Sequence, residues 1–279
     1  MRWLNKILSK FALIRIPVVF SSNNTINAGD SFYEETADIY TSLFSSKKYD
    51  DIPMYLSYAQ RTGSPVLEAA SGDGRIAVPL AQNGFTVFCF DISAKMLSLC
   101  LIRINKLQPD EKSHIHIIRS LMQHIPFKSA FKLALIPYNS FNHLLTEEEQ
   151  RSCLEGLYRA LKKGGLLVME VLPFHKRYDT KYRERNARML TAGNSRVRVY
   201  SRVSHNAPNK LHTVYWYIST ERPGKPPQRI ISHFTRKDIE LKQVEQLLRT
   251  TGFTIEEIKY SYSREDKTKD KRIIIAKKR

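Results

Sequence analysis

Three observations predict an α/β fold built on a mostly parallel sheet, with antiparallel strands inserted late in the chain. Residues 65–91, PVLEAASGDGRIAVPLAQNGFTVFCFD, read as strand, glycine-bearing turn, helix and second strand. Short apolar runs then keep alternating with helical patterns as far as residue 172. Three runs with period-two alternation follow between residues 197 and 235, before one more helix and two closing strands. With 279 residues, 42% of them hydrophobic, the chain can bury a full core.

Taken in order, residues 2–16 set Trp3, Leu4, Ile7, Leu8 and Phe11 on one helical face and basic or polar residues on the other. Three readings stay open for this stretch: a helix on the core or over the active site, an organellar targeting peptide, or a membrane-surface helix. Asn23 to Asp30 reads as a polar loop. Ser31 is placed to cap the next helix with Glu34 at the capping-box position, and Tyr33, Ala37 and Tyr40 share a face of it. Asp51 to Gln60 forms a short helix. Val66, Leu67, Ala69 and Ala70 make a buried strand, and Ser71-Gly72-Asp73-Gly74 turns the chain. A helix from Arg75 to Asn83 stops at Gly84, and Thr86 to Phe90 is the next strand, with Asp91 at its carboxyl end.

Ser93 caps a helix running to Lys106, His114–Arg119 is the third strand and Phe131–Ile136 the fourth. Thr146 and Glu149 form a capping box for a helix expected through Leu161, with Lys162 and Lys163 at its end and Gly164-Gly165 as its stop. Leu166–Leu172 is the fifth strand, with Glu170 inside it; Pro173, Phe174 and His175 leave the sheet. Residues 176–196 read as a mobile loop or irregular helix. Val197–Ser204, Leu211–Thr220 and Gln228–Thr235 form an antiparallel meander. Lys237–Thr250 is a helix with Gly252 as its cap, and Phe253–Tyr260 and Lys271–Lys277 are the last strands.

The run Glu68-Ala69-Ala70-Ser71-Gly72-Asp73-Gly74 resembles the first motif of class I S-adenosylmethionine-dependent methyltransferases, E/D-x-G-x-G-x-G. The resemblance continues through Arg75, Pro79, Leu80, Gly84, Asp91, Ser93, Met96 and Leu97. It implies a Rossmann-like seven-stranded sheet with an antiparallel last strand and S-adenosyl-L-methionine as cofactor, and it leaves the N-terminus and the inserted strands unassigned. The chain then divides into an N-terminal amphipathic, helical extension (1–30), a cofactor-binding core (31–175 and 234–279) and a basic β-rich insertion expected to cover the active site (176–233). On this resemblance Glu68, Ala70, Gly72, Gly74, Arg75, Asp91, Ile92, Met96, Leu121 and Met122 are the cofactor-binding positions. Asp91 would hold the ribose. Ala70 stands where the family has its first glycine, and its methyl group narrows the space there. Leu121 stands where the family's third-strand loop carries an acid for the adenine amino group, so apolar packing from Leu121, Met122 and Ile92 would hold the ring.

Pro137-Tyr138-Asn139-Ser140-Phe141-Asn142-His143 resembles the P-[YF]-N-S-F-x-H-L segment of small-molecule methyltransferases and differs from the D/N-P-P-Y/F motif of enzymes that methylate exocyclic base amines. Methyl transfer from a sulfonium is a direct displacement, so the protein mainly orients the nucleophile and excludes water. His143 is the candidate base, Tyr138 and Asn139 its orienting partners, and Glu170 the reserve. No metal-ligand spacing is present, so no metal is expected. Three function readings follow: an N- or O-methyltransferase of small molecules or peptides, an RNA or protein methyltransferase, and a non-catalytic S-adenosylmethionine-binding module.

Charge is uneven along the chain. Residues 1–174 hold 19 basic and 16 acidic side chains, whereas residues 175–279 hold 26 and 11. The excess favours an anionic substrate, with nucleic acid as an alternative partner. Cys89, Cys100 and Cys153 form no framework, which suits a reducing, cytoplasmic compartment, with organellar import as the alternative. No run of about 18 apolar residues exists to span a membrane. A monomer or homodimer is expected.

Overall fold

The computed structural model describes residues 28–45, 51–172, 183–192, 195–263 and 271–279. Helices α1 (Ala28–Ser45) and α2 (Ile52–Thr62) precede the first strand. Then come β1 (Val66–Ala69), α3 (Ala77–Gln82), β2 (Val87–Asp91), α4 (Ala94–Ile104), α5 (Pro109–Ser113) and β3 (Ile115–Arg119). Strand β4 (Phe131–Ile136), a 3-10 turn (Ser140–His143), α6 (Glu147–Ala160) and β5 (Leu161–Glu170) follow. Four long strands come next: β6 (Arg183–Ala192), β7 (Ser195–Asn206), β8 (Leu211–Arg222) and β9 (Lys225–Lys237). Helix α7 (Leu241–Thr251), β10 (Phe253–Lys259) and β11 (Ile273–Lys278) close the chain.

Seven strands form one sheet in the order β10-β11-β5-β4-β1-β2-β3. The pairs among β1 to β5 are parallel, and β11 runs antiparallel to both β5 and β10. Helices cover both faces, so the central strands read as unbroken apolar runs rather than alternating ones. Period two still sorts their side chains. Leu67, Phe88, Phe90, Ala134, Ile136, Leu167 and Met169 pack with α6 and α7 on one face. Val66, Val87, Cys89, Leu133, Leu135 and Val168 pack with α2 and α3 on the other. The expected seven-stranded, mostly parallel sheet is therefore present, and all three cysteines are free and buried.

Strands β6 to β9 form a separate antiparallel sheet. Its apolar face carries Val197, Val199, Val214, Trp216, Ile218 and Phe234, which close over Phe32 and Leu43 of α1. Helix α1 is fixed from its other side as well. Glu34 accepts hydrogen bonds from the backbone N–H groups of Ala94 and Lys95, two orphan donors at the start of α4, while Ser93 Oγ accepts from Met96 N at 3.1 Å. Helix α1 thus joins the second sheet to the core.

Several boundaries differ from expectation. Helix α1 begins at Ala28, so Ser31 lies inside it rather than at its start, and Glu34 serves α4. Helix α6 ends at Ala160, because Leu161 turns extended and buries itself opposite Phe131; Lys162 to Gly165 belong to the start of β5. The stretch read as loop or irregular helix at 176–196 contains β6, so the inserted sheet has four strands, not three. The short α5 carries no apolar periodicity, and its start signals, Pro109 and the Gln108–Glu111 capping box, went unread. The amphipathic stretch 2–16, most of the Asn23–Asp30 loop and the exit at residues 173–175 lie outside the described residues. No described helix is long and apolar enough to cross a membrane.

Candidate active site

The carboxyl ends of β1, β2 and β4 open onto a cavity of about 630 Å³, closed on one side by Tyr33, Tyr40 and Phe44 of α1 and by Thr235 of β9. This is the edge of a parallel sheet where ligands bind. The turn after β1 shapes its floor. Gly72 has φ +56, and its N–H donates to Asp91 Oδ2 at 2.8 Å, while Asp91 Oδ1 accepts from Ser93 N at 2.9 Å. The Asp91 carboxylate is thereby fixed against the cavity. Ala70 also takes a positive φ, +57, the conformation that glycine adopts at no steric cost.

Glu68 is buried beside this turn. Burial pushes its pKa up to about 8, and its Oε2 has no hydrogen-bond partner among the described residues. An unpartnered buried carboxylate oxygen at a cavity wall suits a cationic ligand group. Arg75 reaches the cavity but is committed: its two terminal nitrogens donate to Asp51 at 2.7 and 2.8 Å, and its guanidinium lies 5.7 Å from the Tyr138 ring centre. Ile92, Met96, Leu121 and Met122 line an apolar part of the wall.

Past β4 the chain turns sharply, with Tyr138 at φ +54 and Asn139 at φ +59. Asn142, fully buried, holds the following 3-10 turn in place. Its Oδ1 accepts from Leu172 N at 2.7 Å and its Nδ2 donates to Lys237 O at 2.7 Å. His143 is thereby presented to the cavity, with Nε2 3.3 Å from Tyr33 Oη and its ring against Phe234. Burial, aided by the positive charge of Arg236, pushes the His143 pKa down to about 3, so the imidazole is neutral near pH 7.

Most of the expected site residues come together here, with three exceptions. Gly74 does not line the cavity; its bare Cα is needed because a Cβ there would stand 2.5 Å from Cys100 Sγ on α4. Asn139 is the corner of the turn, and its carbonyl accepts from Asn142 N. Glu170 lies off the cavity and accepts a hydrogen bond from Tyr262 Oη at 2.6 Å, because the antiparallel β11 beside β5 brings the Tyr262 segment over the end of the strand. The contacts of Asp51 and Arg236 went unnoticed in the sequence, and Glu34 was read only as a capping-box residue of its own helix. Each acts through a contact with a distant segment, and only the capping-box position of Glu34 carried any signal.

A family described as "Methyltransferase domain" matches residues 66–165. A putative methyltransferase of Geobacillus sp. (strain WCH70) is 26% identical over 254 residues, 88% of this chain and 99% of that protein. The S-adenosylmethionine-dependent methyltransferase from Clostridium acetobutylicum ATCC 824 superposes with a TM-score of 0.68 at 17% identity, over 88% of this chain and 98% of its own. The sugar N-methyltransferase KedS8 from Streptoalloteichus sp. ATCC 53650 superposes with a TM-score of 0.71 at 11% identity, over 96% and 99%.

Proposed function

We propose that this chain, a class I S-adenosylmethionine-dependent methyltransferase, methylates a neutral amine nitrogen of a small molecule. S-adenosylmethionine supplies an electrophilic methyl group when bound. Glu68 would receive its ammonium group on the unpartnered Oε2, Asp91 its ribose hydroxyls, and Ile92, Leu121 and Met122 its adenine. Tyr33, Tyr40, Phe44 and Tyr138 would surround the acceptor and keep water from it. A cavity of about 630 Å³ is of small-molecule size.

The observation that carries the choice of nitrogen over oxygen is the environment of His143. A hydroxyl acceptor must lose a proton to a base as it reacts. An imidazole whose pKa is held near 3 by burial and Arg236 is too weak a base for that. An amine instead sheds its proton to water before binding and attacks through its own lone pair. His143 then serves as a hydrogen-bond acceptor that orients Tyr33 or the amine. A sugar N-methyltransferase shares this architecture, so the fold is compatible with amine acceptors.

A polynucleotide acceptor is the competing reading. Residues 195–237 hold nine basic side chains and one acidic, and RNA binding that weakens steeply with salt would support it. The deciding experiment screens amine and alcohol acceptors with methyl-labelled cofactor and identifies products by mass spectrometry. N-methyl products are expected. His143→Gln, which preserves a hydrogen-bonding side chain, should lose less than about tenfold in kcat, whereas loss of a true general base costs ~10²–10⁴-fold. O-methyl products, or a collapse of kcat in that variant, would overturn the reading.

A further inference from the structure

A second cavity, of about 350 Å³, lies at the opposite edge of the parallel sheet. Five of the side chains around it are cations: Arg61, Lys132, Lys162, Lys163 and Lys277. They come from the end of α2, the start of β4, the start of β5 and the end of β11. Lys132 stands near the start of β4, whereas Pro137, just past the end of that strand, lines the methyl-transfer cavity. Five residues of extended chain span roughly 16 Å, so the two cavities are separate.

Local packing sets these charges side by side. Gly165 has no room for a side chain. A Cβ there would stand 2.9 Å from Lys162 O and 3.2 Å from Lys132 O, so the turn into β5 lies tight against β4. A Cβ on Gly63, which caps α2, would stand 3.3 Å from Lys132 Nζ, and one on Gly164 would stand 4.0 Å from Lys277 Cε. The two lysine side chains therefore lie over bare backbone. Glu256 of β10 is divided between two of the five cations: its Oε2 accepts from Arg61 at 3.2 Å, and its Oε1 is 3.4 Å from Lys277 Nζ. Among the described residues the side chains of Lys132, Lys162 and Lys163 have no such partner, and all three are exposed.

One carboxylate against five cations leaves an excess of four positive charges around one hollow. Like charges held this close repel, and a bound polyanion relieves that repulsion. A lone carboxylate would satisfy only one of them. Lysine offers a point charge with rotating donors, which meets phosphate oxygens from many directions. The cations ring one hollow and do not form the extended track that a polynucleotide follows.

We propose that this hollow is a binding site for a compact polyphosphate group, separate from the sites of the methyl donor and the methyl acceptor.

The test is calorimetry on the full chain, titrated separately with inorganic pyrophosphate and inorganic tripolyphosphate at two salt concentrations. Both should saturate a single site, tripolyphosphate the more tightly, and both should weaken as salt rises. The double variant Lys162→Gln, Lys163→Gln should bind tripolyphosphate on the order of tenfold more weakly, as expected for two lost charged contacts. Adding Lys132→Gln should weaken it further. Lys225→Gln with Arg229→Gln removes the same charge from exposed positions on β9 and should leave binding unchanged. Near-ultraviolet circular dichroism and S-adenosylhomocysteine affinity should match the wild type in the lysine variants, which shows that a loss of polyphosphate binding is not a loss of fold. The proposal is overturned if neither polyphosphate saturates the wild type, if the Lys162 and Lys163 variant binds as well as the wild type, or if the β9 control weakens binding equally. A single-stranded RNA oligonucleotide that binds and loses affinity in the lysine variants, with tripolyphosphate silent, would overturn it in favour of a polynucleotide surface.

Discussion

Glu68 makes a prediction that needs no knowledge of the acceptor. In the folded protein burial raises its pKa to about 8, whereas in the unfolded chain a glutamate titrates near ~4.3. Between those values the folded state keeps a proton that the unfolded state has released. The contribution of Glu68 to stability is therefore complete below about pH 4 and is lost as pH rises toward 8. Glu68→Gln removes that loss, so its urea midpoint should exceed that of the wild type at pH 8.5 and match it near pH 4.5. If the orphan oxygen receives an ammonium group, cofactor binding ionises Glu68, and the proton is released to solvent. Calorimetry of S-adenosylhomocysteine binding at pH 7 in buffers of different ionisation enthalpy should then show close to one proton released, and none in Glu68→Gln. Glu68 and Asp91 were readable from the sequence because strand ends and a turn fix their positions locally. Ala70 was readable as a departure, and its positive φ shows how the chain meets it: the backbone keeps the glycine conformation and carries the extra methyl group. The effect of Arg236 on His143 was not readable, since nothing near it in sequence marks which side chains an antiparallel strand will approach.

At the level of elements, local signals worked where the physics is local. Thr146 and Glu149 form the expected capping box, with Glu149 N to Thr146 Oγ1 at 3.2 Å and Thr146 N to Glu149 Oε2 at 3.0 Å. Gly252 ends α7 with φ +105 as expected. The end of α6 was misread because Leu161 is decided by pairing with Phe131, a tertiary contact, and not by the lysines and glycines that follow it. The 3-10 turn after β4 shows the same dependence. Its position rests on Asn142, which ties it to Leu172 just past β5 and to Lys237 at the end of β9. Asn142→Ala would leave a part-buried donor and a part-buried acceptor unmatched on two segments. It should cost about 2–4 kcal/mol of stability, as expected for two such groups. Turnover should fall as well, because His143 rides on the same turn. Denaturant unfolding and steady-state kinetics check both effects; a variant as stable as the wild type would show that the turn is held by its neighbours instead.

For the whole molecule, the parallel core was legible because its central strands, covered on both faces, leave an unmistakable apolar record. The second sheet was legible only in part, because β6 is too polar to announce itself and its pairing with β7 depends on register rather than composition. Beside the Asn142 tie, what joins the two sheets is α1, and its contacts with the second sheet are mainly aromatic. Phe32 is fully buried, with ring centres 5.0 Å from Trp216 and 4.7 Å from Phe234. On the other side Glu34 holds α4, and Tyr33 and Tyr40 line the cavity between. Loosening the aromatic contact should therefore free the second sheet while leaving the parallel core intact. Phe32→Ala should remove about 3–5 kcal/mol from the docking of that sheet. Trp216 reports on it directly once Trp3 is replaced by Phe, because the chain has two tryptophans. In that background the wild type should lose tryptophan fluorescence and far-ultraviolet circular dichroism in one urea transition. In Phe32→Ala the fluorescence transition should come first, and S-adenosylhomocysteine affinity should drop because α1 no longer closes its side of the cavity. Coincident transitions in the variant, shifted together to lower urea, would mean that the two sheets fold as one unit and that the joint through α1 is not where the molecule opens.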